Sequence, residues 1–168
     1  MSNLLFIPFQ AYIKNLCIIN KNVLHNDGNN VAFVRMQSGD DLNKITSNAS
    51  STLVIVSTFT GRAIGSTEDG RLQQMATLTF LNKPTVNTGN PSDEIETAQQ
   101  LAMEVMFEFY ARMIQDQRTD DCGILQYLVA NQMIFTPVEG PVIEDHYGWE
   151  MTLPFGGDVP EYDATKWN

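Results

Sequence analysis

The sequence predicts an α+β domain, a small antiparallel sheet with one long helix packed across it. Helical periodicity runs unbroken over residues 91–117, and β-branched runs at 31–37, 52–59 and 75–81 are separated by turn-forming residues. A chain of 168 residues, 43% hydrophobic, is long enough for one well-buried core and too short for two comfortable domains.

Taken in order, Phe9, Ile13, Leu16 and Cys17 recur at helical spacing after Pro8, which predicts an N-terminal helix over about residues 8–20. The run Cys17, Ile18, Ile19 suits the start of a strand equally well. Residues 25–30, HNDGNN, form a turn, since Asp27 and Gly28 tolerate left-handed backbone. Residues 31–37 then read as a strand, 38–51 as a polar connection, and TLVIVSTF (52–59) as the clearest buried strand. The three glycines of residues 61–71 predict a hairpin loop leading into MATLTFL (75–81). Beyond the long helix, residues 123–131 suit a shorter helix, or its continuation after a break at Asp120–Gly123. Residues 133–138 and 146–155 suit a closing strand pair around Glu139, Gly140 and Pro141. Residues 1–155 are thus one α+β domain, and residues 156–168 an extended C-terminal arm. Gly156, Gly157 and Pro160 keep that arm out of regular structure, yet it retains Val159, Tyr162 and Trp167.

The long helix is the most informative element. Asn90 suits the N-cap, Pro91 the first helical position, and Asp93 places a carboxylate near free backbone N–H groups. At about 100° per residue, Ile95, Ala98, Leu101, Ala102, Val105, Phe109 and Met113 make one broad stripe. Met103, Met106, Phe107, Tyr110 and Ile114 continue it around the cylinder, leaving a polar strip through Gln100, Glu104, Glu108 and Gln115. A surface helix needs one core-facing stripe, so a second cover is expected, from its own chain or from another subunit. Core packing accounts for part of the apolar arc. The surplus, Met103, Phe107, Tyr110 and Ile114, marks a candidate subunit contact, with Tyr162 and Trp167 of the arm as further anchors.

The formal charge is −10 and unevenly spread. Residues 1–84 carry seven Lys/Arg against five Asp/Glu, and residues 85–168 three against fifteen. An acidic second half argues against stable DNA binding, which relies on basic side chains neutralising phosphates. It suits head-to-tail stacking, or a channel that DNA traverses without sticking. Cys17 and Cys122 lie far apart with no CxxC pattern, as buried free thiols in a reducing compartment would. The N-terminus lacks a basic n-region and a small-residue cleavage site, and no apolar run approaches the ~20 residues that span a bilayer. A soluble protein made in a cytoplasm, with no membrane association, is expected.

Motifs for chemistry are absent from the sequence: no phosphate-binding GxxxxGK[ST], no GxGxxG after a strand, no HExxH and no GxSxG. GSTEDG (65–70) lacks calcium-loop spacing and suits an ordinary turn. His146 with Glu144 supplies at most two ligands, too few for a metal site, and His25 lies far away in sequence. Glu104 and Glu108 share a helix face at i, i+4 but occupy the solvated strip. Asn48-Ala49-Ser50 matches a glycosylation pattern without a secretion signal. No catalytic residue, metal or cofactor is expected.

The order of elements over roughly residues 5–155, with the strand VIEDHYGWEMTLPF (142–155) following the long helix, resembles the tail-terminator and tail-completion proteins of long-tailed bacteriophages and related contractile particles. Those are small α+β domains with an N-terminal helix, an antiparallel sheet and a helix packed across it. The resemblance implies a non-enzymatic virion protein, assembled in the host cytoplasm. It further implies a ring, usually sixfold, that caps the tail tube and offers its other face to the head connector. The alternative expectation is a small cytoplasmic binding module whose Met/aromatic groove holds a peptide or an apolar ligand.

Overall fold

The computed structural model describes residues 6–35, 52–64, 71–85, 89–119, 123–141, 143, 145–158 and 165. Outside the described residues lie Asn48, the GSTEDG segment, Cys122, Glu144, Tyr162 and Trp167. The protein is α+β: two helices lie on one face of a six-stranded, mostly antiparallel open sheet.

Helix α1 spans Phe6–Ile19, so the ambiguous run at Cys17–Ile19 is helical. Asn20 ends it, its side-chain oxygen accepting from the backbone N–H groups of Asn22 (2.8 Å) and Val23 (3.1 Å). The turn at 25–30 forms as expected, with the Gly28 N–H donating to Asn26 Oδ1 (2.9 Å) and Asn26 pairing with Asn30. Strands β1 (Phe33–Arg35) and β2 (Leu53–Val56) follow, then β3 (Thr60–Ile64) and β4 (Arg71–Asn82). Helix α2 covers Pro91–Thr119, and β5 (Ile134–Pro137) and β6 (Tyr147–Asp158) close the sheet in the order β1-β2-β4-β6-β5. Strand β3 shares the β2 side of β4.

Four local expectations are corrected. Strand β1 pairs with β2 in parallel, an arrangement that periodicity along one strand does not encode. Residues 61–64, expected in a hairpin loop, belong to β3, which pairs with β4. Residues 123–131, expected as a helix, form two short 3₁₀ turns at Leu125–Tyr127 and Ala130–Gln132. Between those turns the Val129 N–H donates to the Pro154 carbonyl (2.9 Å), so pairing with β6 outcompetes helical propagation. Gly156–Asp158, expected to turn away, continue β6 opposite Gln73, Leu72 and Arg71.

Strands β2 and β3 are one edge interrupted by a bulge. Val56 faces Leu78 and Thr60 faces Met75, so three residues, 57–59, oppose two. Ser57 fastens the bulge: its N–H donates to the Thr77 carbonyl and its Oγ accepts from the Thr77 N–H, each at 2.9 Å. Phe59 thereby joins the helix-covered face, where its ring stacks on Phe155 (centroids 5.4 Å) beside Phe6 and Phe9.

The main core lies between that face and the helices. Phe9, Ile13, Leu16 and Cys17 from α1 meet Ala102, Val105, Met106, Phe109 and Met113 from α2 over Leu78, Phe80, Met151, Leu153 and Phe155. A smaller cluster of Val34, Leu53, Ile55 and Leu81 sits on the opposite face, with Val31 and Ile143 against it. Helix α2 approaches the sheet closely at Gly148, where a Cβ would overlap the Phe80 carbonyl and lie 3.1 Å from the Ala102 Cβ.

Candidate subunit interface

Helix α2 begins as its sequence predicts. The Ser92 N–H donates to Asn90 Oδ1 (3.2 Å), the N-cap bond, and Asp93 and Glu94 occupy the first turn. Its far end is tied by Gln117, whose Nε2 donates to the carbonyls of Leu125 (2.9 Å) and Leu128 (2.8 Å).

Around its axis, α2 divides into three sectors. Ala98, Ala102, Val105, Met106, Phe109 and Met113 are buried against the sheet, with Phe109 edge-on to Phe80 (5.2 Å). The sector facing α1 carries Glu108, Arg112 and Asp116. Tyr12 Oη donates to Asp116 Oδ2 (2.8 Å), and Arg112 Nε lies 2.8 and 2.9 Å from the two Asp116 oxygens, donating to Oδ2. Asn20 (2.8 Å) and Asn22 (2.9 Å) donate to Glu108 from the end of α1. Glu108 therefore joins the helices, and Glu104 accepts instead from Gln100 (3.0 Å). These carboxylates are not a free acid–base pair.

The third sector carries the four candidate positions. Met103, Tyr110 and Ile114 are half-buried, and Phe107 remains 43% exposed. The cover they receive comes from β5: Phe135 lies 5.3 Å from Phe107 and 5.4 Å from Tyr110, the latter edge-on. The chain therefore covers part of the surplus itself and leaves a ridge along the outer flank of α2. Phe135, which continues this ridge, lies on an edge strand and was not singled out by the sequence. A short alternating run before Glu139 is the local signal for β5, but nothing local pairs it with α2.

Helix α1 has a flank of the same kind on the opposite side. Tyr12 points to α2, and Ile7 (69% exposed) and Ile18 (47% exposed) point away from it. Lys14 on this flank pairs with Asp27 (2.8 Å), which holds the Asp27 carboxyl below the ordinary aspartate range. A groove between the helices is lined by Leu16, Ile19, Asn20, Glu108, Phe109 and Arg112.

The other chemistry-bearing residues have structural partners. His25 is buried, with Nδ1 accepting from the Ala32 and Phe33 N–H groups (both 3.2 Å) and Nε2 3.0 Å from Asp27. His146 Nδ1 lies 3.0 Å from the Ile143 carbonyl, far from His25 in sequence and bound to a different loop. Burial pushes the Cys17 thiol far above its usual range, which makes it unreactive. No group of three or more His, Cys, Asp or Glu gathers among the described residues, and none of their helices is long and apolar enough to cross a membrane. Comparison with family models, curated proteins and solved structures finds no match.

Proposed function

We propose that the chain is a non-enzymatic structural subunit that self-associates into a ring, sixfold by the resemblance, at the head–tail neck of a phage or phage-derived particle. The observation that carries this reading is the outer flank of α2. There an aromatic side chain remains exposed beside half-buried Met103, Tyr110 and Ile114, continuous with Phe135 of β5, an edge strand among the described residues. Apolar surface gathered in one patch is characteristic of contacts between proteins. The order of helix, sheet, long helix and closing strands, on which the resemblance rests, supports the same reading. In it, one face of the ring meets the tail tube and the other the head connector. Tyr162 and Trp167 belong by proposal to the same contact, and no cofactor takes part.

The groove between α1 and α2 favours a second reading, a module that holds an apolar side chain of a peptide. The two readings separate on self-association. Light scattering at ~100 µM, where even weak contacts are populated, is expected to show a closed oligomer. Phe107→Glu is expected to give a folded monomer that keeps a cooperative thermal transition, its melting temperature lowered by a few degrees for the lost ring contact with Phe135. A wild-type protein that stays monomeric there counts against the ring.

A further inference from the structure

Resting on the ring reading, we infer that neighbouring copies meet head to tail, the α1–β3 flank of one against the α2–β5 flank of the next, with β3 and β5 adjacent and antiparallel. A ring requires two different, complementary surfaces on each subunit. These two flanks lie on opposite sides of the molecule, and they match in three independent respects.

The first is strand direction. Each step from β3 to β4, from β4 to β6 and from β6 to β5 is antiparallel, so β3 and β5 run in opposite senses. Both have one unpaired edge among the described residues. A copy reached by rotation about an axis lying roughly along the strands presents its β3 edge antiparallel to β5, the arrangement that hydrogen-bonds directly.

The second is apolar side chains on the open face. Ile64 of β3 is 42% exposed and Ile134 of β5 is 55% exposed. Both point away from the helices, since Ile64 stands opposite Arg71 and Ile134 opposite Thr152 in the ladder. Setting Ile134 against Ile64 of the neighbour places Pro137 against Gly61, which has no side chain to meet the proline ring. The Val138 N–H bonds back to the Gly148 carbonyl (2.9 Å), so by alternation Phe135 and Pro137 turn their backbone groups outward. Pro137 offers a carbonyl but no N–H. The ladder therefore sets register, and the helix flanks supply the buried area.

The third is charge. Helix α1 and strand β3 carry Lys14 and Arg62 and no Asp or Glu of their own, Lys14 pairing with Asp27 of the following turn. The α2–β5 side exposes Glu96, Glu104 and Glu139, with Arg118 among them. A basic flank against an acidic one favours head-to-tail contact and disfavours either flank meeting its own kind.

The test uses two double variants of the full chain, Arg62→Glu with Ile64→Glu, and Phe107→Glu with Ile134→Glu, all at exposed positions. Each retains one intact flank. Each alone is expected to be monomeric at a concentration where wild type assembles, with an unchanged circular dichroism spectrum and a cooperative melt lowered by a few degrees for the lost Phe107–Phe135 or Arg62–Gln73 contact. Mixed in equal amounts, they are expected to form a complex of one copy of each that grows no further. Either double variant assembling like wild type, or a mixture that stays monomeric, overturns the assignment of flanks while leaving the ring standing. A monomeric wild type overturns the ring itself. Should a double variant unfold, Arg62→Glu and Phe107→Ser singly replace it under the same criteria.

Discussion

At the residue scale, the difference between Phe107 and Phe109 separates folding from the proposed association. Phe109 is fully covered and edge-on to Phe80, so a glutamate there buries an unpaired charge, at a cost of several kcal/mol that rivals the whole stability of a small domain. Phe109→Glu is expected to abolish the cooperative thermal transition, whereas Phe107→Glu retains it. Gly148 is a sharper probe because its neighbour is backbone. A methyl group there meets the Phe80 carbonyl, which no rotamer change can clear, and the Ala102 Cβ behind it. Gly148→Ala is expected to cost ~1–3 kcal/mol or more, the range of overpacked cores, read as a lower denaturant midpoint at unchanged m-value. A midpoint equal to that of wild type would mean that the Phe80 carbonyl of β4 stands further from Gly148 than described.

At the scale of elements, the long helix was legible because its signals are local. Asn90 and Pro91 start it, an apolar arc runs along it, and both ends fall within two residues of expectation. Asn90→Ala removes the bond to the Ser92 N–H and is expected to cost ~1 kcal/mol, seen as a small fall in melting temperature with no loss of helical signal. An unchanged melting temperature would show that another group takes over the cap. What was not legible depends on partners distant in sequence. Strand β3 contains Gly61 and Arg62 and lacks an alternating apolar pattern, and its strand character comes from the register against Arg71–Met75. Ile124, Leu125 and Leu128 satisfy helical spacing, yet Val129 bonds β6 and Gln117 occupies the Leu125 and Leu128 carbonyls. The candidate interface divides the same way. The surplus Met103, Phe107, Tyr110 and Ile114 is visible on a helical wheel. That Phe135 covers part of it, and that Ile7 and Ile18 form an opposing flank, follows from packing alone.

At the scale of the whole molecule, the charge asymmetry of the sequence becomes an asymmetry in space. Helix α1 and strand β3 carry Lys14 and Arg62 without an acid of their own, whereas Asp93, Glu96 and Glu104 are exposed on α2. Nonspecific binding of duplex DNA requires several cations to displace counterions together, and its affinity falls with a slope of about −0.9 per phosphate neutralised. Lys14 already faces Asp27, and Arg112, beyond the basic flank, already faces Asp116. A net charge of −10 opposes the approach of a polyanion. In the proposed ring the effect persists, because the contact pairs cations with acids of the next copy while each subunit keeps its net charge of −10. Neither the monomeric flank variants nor the assembled wild type is therefore expected to shift a labelled duplex at micromolar protein and ~150 mM salt. A shift by the monomers that vanishes on assembly would show that the basic flank alone binds phosphates, and would support its burial in the ring. A shift by the assembled protein would contradict the acidic exterior, and with it a ring that lets DNA pass without sticking.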